Sequence, residues 1–328
     1  MTRQRILVTG ASGFVGGAVV KRLLEHPELY DVVAAGRSER GVDSSACRVV
    51  SGLELSEPAG WAEALQGVDV VIHCAARAHV MNDTSLDPLA EFRRVNVDGA
   101  LNLATEASKA GVKRLVFVST VKVNGESTNH RAPFRETDEP SPEDAYARSK
   151  AEAEWKLRDF CKQVGLELVV VRPPLVYGPG VKGNFLSLLK LCNLPVPLPF
   201  GSMKNKRSMV YVGNLADFLA HCIGGRGAAG ETFLIGDDLT LSLAELLKNL
   251  RRAQGRAAWL VPVPVFLFRW LGAVLSKAEA VNRLTGELTI DSSKARNVLD
   301  WSAPYSVQQG LKATVDAFHQ RPQSGESA

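Results

Sequence analysis

The sequence predicts an α/β protein with a doubly wound parallel sheet, followed by a smaller and irregular α/β domain. In residues 1–172, short β-branched runs alternate with longer segments of helical period. The runs are apolar throughout, as strands are when helices cover both faces of a parallel sheet. After Arg172, segments dense in proline and glycine, such as "NLPVPLPFG" and "GGRGAAG", divide the chain into short elements.

The elements of the first domain alternate in chain order. The predicted strands are "RILVTG", "DVVAAG", "VDVVIHCAA", "KRLVFVST" and "LELVVVRP". The predicted helices are "GGAVVKRLLEH", "NVDGALNLATEASKAG" and "AEAEWKLRDFCKQVG". A later run, "ETFLIGD", is predicted to return to the sheet as a further strand. We therefore assign residues 1–172 with about 207–237 to the first domain, 173–206 with 238–320 to the second, and 321–328 to a disordered tail.

Composition excludes several classes of protein. The net charge of +4 comes from 39 basic and 35 acidic residues with no basic block, so no nucleic-acid partner is expected. The five cysteines are dispersed and form no CxxC pair, so we expect neither disulfides nor a metal site. This use of cysteine is typical of proteins in the reducing cytoplasm, where we expect this protein to be located. The apolar run after the first two arginines is too short for a signal peptide.

The longest apolar stretch runs from Leu260 to Leu275. It contains two prolines and Arg269, and it falls short of the roughly 20 residues that a membrane-spanning helix needs. We expect a buried or groove-lining helix here and no insertion into a membrane.

Three glycines, Gly10, Gly13 and Gly16, lie between the first strand and the first helix. Glycine is required where the backbone turns sharply and where phosphate oxygens approach too closely for a Cβ atom. The helix N-terminus behind the loop attracts an anion. Because the loop begins an alternating βα pattern, it predicts dinucleotide binding.

With "TGASGFVG" followed by "AYARSK", "VIHCAA" and "RRVNVDGALNL", the chain resembles the extended short-chain dehydrogenase/reductase superfamily from Arg5 to about Trp301. The resemblance implies a Rossmann-type sheet that binds a nicotinamide cofactor and a second domain that binds a nucleotide sugar. The cofactor-binding residues that it implies are Gly10, Ser12, Gly13, Phe14, Val15, Gly16, Arg37, Ala75, Ala76, Asn96, Lys150 and Pro173.

The end of the second strand, "VVAAGRSER", bears on the choice of cofactor. An acidic residue here would accept hydrogen bonds from a ribose 2′-hydroxyl, whereas an arginine can hold a 2′-phosphate. The sequence has Arg37, with Ser38 and Arg40 behind it. It therefore favours NADP(H), with NAD(H) as the alternative.

Tyr146 and Lys150 are four residues apart, so on a helix their side chains share a face. The lysine ammonium is expected to lower the pKa of the tyrosine, which the resemblance identifies as the catalytic acid and base.

The strand end "FVSTVKVNG" carries Ser119 and Thr120, which could simply be hydroxyls that satisfy backbone donors. Alignment with the family's segment makes Thr120 the catalytic hydroxyl and Ser119 the second choice.

The segments "RPPLVYGPG" and "RSMVYVGNLAD" resemble those of nucleotide-sugar enzymes. The resemblance implies that Arg207, with Arg283 as a second clamp, binds the substrate diphosphate. It also implies that Asn184 and Phe185 line the nucleotide, and that Thr120 and Tyr146 contact the sugar.

Lys122 distinguishes between reactions. Sugar 4,6-dehydratases carry an acid pair, or an aspartate and a lysine, directly after the catalytic threonine, because dehydration needs a second acid-base group. Val121 occupies the aspartate position, which argues against dehydration. Lys122 either faces the substrate as an additional catalytic group or points into solvent.

The sequence favours an NADPH-dependent 4-ketoreductase acting on a UDP-4-keto-6-deoxy-N-acetylhexosamine in surface-polysaccharide synthesis. The alternative enzyme is a UDP-hexose 4-epimerase that retains NAD. The hypothesis outside the class of enzymes is a non-catalytic dinucleotide sensor. A homodimer is expected through a four-helix bundle, for which the last two helices of the first domain are candidates.

Overall fold

The computed structural model describes residues 3–39, 41–78, 87–274, 281 and 284–320. Its centre is a sheet of seven parallel strands in the order β10-β6-β5-β4-β1-β2-β3. These strands are β1 (Gln4–Thr9), β2 (Tyr30–Ala35), β3 (Arg48–Val50), β4 (Val70–His73), β5 (Arg114–Val118), β6 (Glu167–Arg172) and β10 (Thr232–Leu234). The prediction of a doubly wound parallel sheet is confirmed.

The helices are α1 (Phe14–Leu24), α2 (Trp61–Ala64), α3 (Pro88–Arg93), α4 (Gly99–Lys109), α5 (Ala145–Val164), α6 (Gly183–Cys192), α7 (Val212–Gly224), α8 (Leu243–Ala253), α9 (Val265–Val274), α10 (Ser293–Leu299) and α11 (Val307–His319). A π-helical turn (Arg94–Asp98) joins α3 to α4, and a 3₁₀ turn (Val121–Val123) follows β5.

The two faces of the sheet are covered by different helices. Ile6 and Val8 of β1 face a core built with α1, α7 and α10. Leu7, between them, faces a core built with α2, α4 and α5. Successive side chains of a strand point to opposite faces, so continuously apolar strands are buried on both sides.

The second domain has its own core, formed by side chains from α6, α8 and α11. Two short sheets accompany it: β7 (Leu175–Tyr177) pairs in parallel with β9 (Met209–Tyr211), and β8 (Lys206–Arg207) pairs antiparallel with β11 (Leu241–Ser242). Ser242 begins α8 with a capping box to Glu245, which satisfies backbone donors at the helix start.

Two further expectations can be compared with these elements. The strand predicted at "ETFLIGD" is present as β10 and pairs with β6. The apolar stretch 260–275 becomes a helix only after Pro264, and Phe266 and Trp270 lie largely in solvent, so the prediction of a buried or groove-lining helix is wrong for these side chains. Within the described ranges, no helix is long and apolar enough to cross a membrane. The tail 321–328 and Arg40 lie outside the described residues.

Candidate active site

The glycine loop packs so closely on neighbouring backbone that Gly10 and Gly16 have no room for a Cβ atom. Gly10 has a φ of +64°, and a Cβ atom there would lie 2.9 Å from the backbone of Ala75. A Cβ atom on Gly16 would lie 2.2 Å from the carbonyl oxygen of Gly10. Helix α1 begins at Phe14 with no side-chain cap, so the N–H groups of its first turn can bind an anion.

The other predicted cofactor residues border the carboxyl edge of the sheet, where ligands of such folds bind. Ala75 follows β4 and donates its N–H to Thr9 Oγ1 (3.2 Å), while Ala76 beside it is exposed. Pro173 accepts a hydrogen bond from Val121 N (3.0 Å). Ser12 in the glycine loop and Arg37 after β2 are exposed. At the start of α1, Val15 packs against the core formed with α1, α7 and α10, and Phe14 packs against the core of the second domain.

Asn96 is held in a network of hydrogen bonds next to the loop after β4. It is buried in the π-helical turn, and its Oδ1 accepts from Arg77 N (2.8 Å). Its Nδ2 donates to Arg77 O (3.1 Å) and to Ser149 Oγ (3.0 Å). These contacts link the loop after β4 to helix α5 through Asn96, and direct binding of the cofactor by Asn96 stays a prediction.

His73, at the end of β4, lies in the "VIHCAA" motif, and the sequence predicts no role for its side chain. Its Nδ1 shares a hydrogen bond with Thr9 Oγ1 (2.7 Å). Its Nε2 is buried and has no hydrogen-bond partner among the described residues. Burial, with Lys150 nearby, lowers the pKa of His73 to about 3, so the imidazole is neutral. This nitrogen, the glycine loop and the uncapped helix together fit a bound dinucleotide.

Tyr146 and Lys150 lie on the first two turns of α5, whose N-cap, Asp144, accepts from Ala147 N (2.6 Å). Burial raises the pKa of Tyr146 to about 12, and the carboxylate of Asp144 adds to the effect. Burial lowers the pKa of Lys150 to about 7, against the opposing charge of Glu154. The prediction that Lys150 lowers the pKa of the tyrosine is therefore wrong.

The ammonium of Lys150 lies 3.8 Å from the centre of the Phe117 ring. This cation–π contact is a partial substitute for the water that burial removes. It holds the lysine at the edge of the sheet, beside the end of β5.

The two hydroxyls of the β5 end point to different surroundings. Ser119 Oγ donates to Glu154 Oε1 (2.5 Å), and Glu154 pairs with Arg172 (2.6 Å) in a buried network. This contact directs the Ser119 hydroxyl to a buried carboxylate, and a catalytic role for Ser119 stays a prediction. Thr120 begins the 3₁₀ turn and accepts from Lys122 N (3.3 Å).

Lys122 forms two ion pairs. Its Nζ pairs with Glu126 (2.7 Å) and with Asp144 (2.6 Å). Burial lowers the pKa of Lys122, but the two carboxylates outweigh that effect and the pKa is raised. Burial raises the pKa of Asp144, yet the hydrogen bonds from Lys122 and Ala147 N leave it lowered. Lys122 thus offsets the charge of Asp144, the carboxylate that acts on Tyr146, and sequence reasoning missed both partners.

The predicted substrate residues are divided by the structure. Arg207 on β8 is half-buried, and burial lowers its pKa while the charge of Glu126 opposes that shift. Asn184 is exposed at the start of α6. The ring of Phe185 is in the core of the second domain, stacked 5.4 Å from that of Tyr177, and a contact of Phe185 with the nucleotide stays a prediction. Arg283 lies outside the described residues.

Comparison with known proteins gives concordant results. The model of the NAD-dependent epimerase/dehydratase family matches residues 6–236. UDP-glucose 4-epimerase of Vibrio cholerae is 42% identical over 316 residues, which cover 96% of this chain and 95% of that protein. The structure of UDP-glucose 4-epimerase from Thermus thermophilus in complex with NAD has a TM-score of 0.75 and 26% identity, covering 97% of this chain and 100% of that one. The Thermotoga maritima UDP-glucose 4-epimerase with UDP-glucose has a TM-score of 0.76 and 25% identity, covering 96% and 99%.

Proposed function

The chain belongs to the NAD-dependent epimerase/dehydratase family, and we propose that within it the protein is a UDP-hexose 4-epimerase that retains NAD. It is an enzyme of the extended short-chain dehydrogenase/reductase type, with activity of the nucleotide-sugar epimerase/dehydratase class. The proposal is carried by the 42% identity to a UDP-glucose 4-epimerase over nearly the whole chain, together with the presence of Tyr146, Lys150 and Thr120. UDP-glucose and UDP-N-acetylglucosamine are the proposed substrates.

The environment of Lys122 supports chemistry at C4 without dehydration. Val121 is buried and offers no carboxylate, and Lys122 is occupied by Glu126 and Asp144. A group held by two carboxylates is poorly placed to remove or deliver a second proton. Oxidation and reduction at C4 then need only one acid-base residue.

In this proposal Tyr146 takes the proton from the sugar 4-hydroxyl and later returns it, while Thr120 orients that oxygen through its hydroxyl. Bound NAD supplies the acceptor and donor of hydride at C4. An ionised Lys150 would favour the phenolate of Tyr146, which is four residues away on the same helix. Arg207 offers a fork of donors suited to the diphosphate.

One observation favours a second function. Arg37 is exposed at the end of β2, where an acidic residue would be expected for NAD, and this favours the NADPH-dependent 4-ketoreductase. The comparisons favour the epimerase, since the Vibrio cholerae relative and the two structural neighbours described above are 4-epimerases.

The deciding experiment supplies purified protein with UDP-glucose or UDP-N-acetylglucosamine and no added cofactor. We expect the C4 epimer to form and NAD to be released on denaturation. Tyr146→Phe should lower turnover by about 10²- to 10⁴-fold while the NAD remains bound. If no epimer forms but the protein oxidises NADPH in the presence of a UDP-4-keto-6-deoxy sugar, the enzyme is the reductase. If neither reaction occurs, the sensor interpretation gains support.

The homodimer also remains part of the proposal. Helices α4 and α5 pack together on one face of the sheet, and Trp155 of α5 is 70% exposed. A dimer through a four-helix bundle would cover this side chain. Light scattering after size-exclusion chromatography measures the mass directly.

A further inference from the structure

The second domain carries a concentration of exposed apolar side chains. Of the fifteen large hydrophobic side chains exposed in the described part of the chain, seven come from residues 194–196 and 259–270. We call six of them the aromatic face: Leu194, Val196, Trp259, Val261, Phe266 and Trp270. Trp259 and Phe266 are each 67% exposed, and Trp270 is 62% exposed. Apolar side chains exposed side by side mark an interaction site more often than scattered ones do.

The aromatic face is held in place by backbone contacts. Leu198 N donates to Trp259 O (3.1 Å), and Val261 N donates to Leu198 O (2.8 Å). Arg251 is 2% exposed, and its guanidinium donates to Val196 O (2.8 Å) and to Ala257 O (2.5 Å). A buried arginine therefore joins the two loops that present the apolar side chains, so their exposure is built into the fold.

Helix α9 is also attached to the loop that follows α6. The ring of Phe268 stacks on that of Phe200 at 5.4 Å, which turns part of the helix inward. Phe266 and Trp270 are left on its outer surface.

The two segments of sequence that carry the aromatic face are basic, although Arg172 and Arg251 among their charges are buried. Residues 168–216 and 246–278 contain twelve lysines and arginines and no aspartate or glutamate. The rest of the chain holds 27 basic and 35 acidic residues, so it is negative overall. Lys190, Lys248, Arg252 and Arg256 are exposed, and Arg256 Nη2 contacts Asn193 Oδ1 (3.4 Å) next to Leu194.

We propose that the aromatic face docks on an anionic lipid bilayer, lying in the headgroup region without crossing the membrane. Tryptophan and phenylalanine beside lysine and arginine are the combination that interfacial segments use. Each basic residue near an anionic surface adds attraction, and no carboxylate in these two segments opposes it. A symmetric contact between two copies of the chain would bring the same basic groups together, which disfavours self-association.

The test uses tryptophan fluorescence on the full chain. Of the five tryptophans, Trp61 and Trp301 are buried, so a Trp155→Phe background leaves Trp259 and Trp270 as the exposed reporters. Vesicles of equal parts phosphatidylglycerol and phosphatidylcholine, with brominated acyl chains, should quench this fluorescence at low salt. Pure phosphatidylcholine vesicles should quench it much less, and raised salt should reverse the effect.

Matched variants separate the apolar contribution from the charge. Trp259→Ser with Trp270→Ser should weaken sedimentation with the anionic vesicles by about tenfold for each tryptophan. Arg252→Gln with Arg256→Gln should weaken it by about fivefold for each charge. Leu239→Ser, which replaces an exposed leucine outside the aromatic face, is the control and should bind as the wild type does. Unchanged thermal unfolding shows that each variant is folded.

Failure of the wild-type protein to bind anionic vesicles at low salt overturns the proposal. So does equal binding by the tryptophan variant. A second copy of the chain covers the aromatic face if two results occur together. The tryptophan variant forms a smaller oligomer than the wild-type protein, and neither protein binds vesicles.

Discussion

Replacing Lys150 by methionine should stabilise the cofactor-free protein and abolish turnover. The lysine is 1% exposed, and burial lowers its pKa from 10.5 to about 7. Folding a protonated lysine into this site therefore costs free energy. Methionine has a similar length, carries no charge and fits beside Phe117.

The expected change in the free energy of unfolding follows from the lowered pKa of Lys150, and it depends on pH. The unfolded chain binds more protons than the folded one between about pH 7 and pH 10.5, so the wild-type protein gains stability as the pH rises through this window. Below pH 7 the cost is fully present and is on the order of 5 kcal/mol. Losing the contact with Phe117 offsets part of the gain. We expect Lys150→Met to raise the free energy of unfolding by about 3 kcal/mol at pH 6.

The assay is urea unfolding, followed by circular dichroism, at pH 6 and pH 10. The advantage of the variant should be large at pH 6 and nearly absent at pH 10. Lys109→Met removes an exposed lysine whose partner is Glu106, and it should change the stability by less than about 0.5 kcal/mol. A variant less stable than the wild type at pH 6, or a difference that is equal at both pH values, would refute the reasoning.

Three further predictions concern residues of the proposed active site. Gly16→Ala places a Cβ atom 2.2 Å from a backbone oxygen and should weaken NAD binding by tenfold or more, on the order of 1.4 kcal/mol, whereas Gly224→Ala, with no atom within 4 Å, should bind NAD normally in a titration. Asp144→Asn removes a charge that raises the pKa of Tyr146, the proposed acid and base, so the rising limb of activity against pH should move to lower pH. Lys122→Met leaves the charge of Asp144 without its ion pair and should move the limb to higher pH. Arg207→Ala should raise KM for the UDP-sugar by about tenfold or more, and lysine at this position should recover part of the loss.

Each of these predictions has a contrary outcome. Normal NAD affinity in Gly16→Ala would mean that the loop is not a phosphate cradle. Shifts of the same sign in Asp144→Asn and Lys122→Met would show that the pair does not control the tyrosine through its charge. An unchanged KM in Arg207→Ala would remove the arginine from the substrate site.

Local patterns were sufficient to predict the sheet, since continuously apolar runs and helical periods are properties of neighbouring residues. They were also sufficient for the glycine loop, where the need for a missing Cβ atom at Gly16 follows from the turn itself. The position of Phe185 was not predictable in this way. A phenylalanine at the start of a helix can line a cleft or join a core, and here the ring of Tyr177 holds it in the core.

The sequence by itself determined the doubly wound architecture, the cofactor loop and the pairing of Tyr146 with Lys150 on one helix face. Only the tertiary structure decided where Ser119 and Lys122 point. Their partners Glu154 and Asp144 are 35 and 22 residues further along the chain, and the path of the intervening loop brings them together. The electrostatics of the site follow from the same cause, because burial sets the pKa of Tyr146 and Lys150 more strongly than their spacing does.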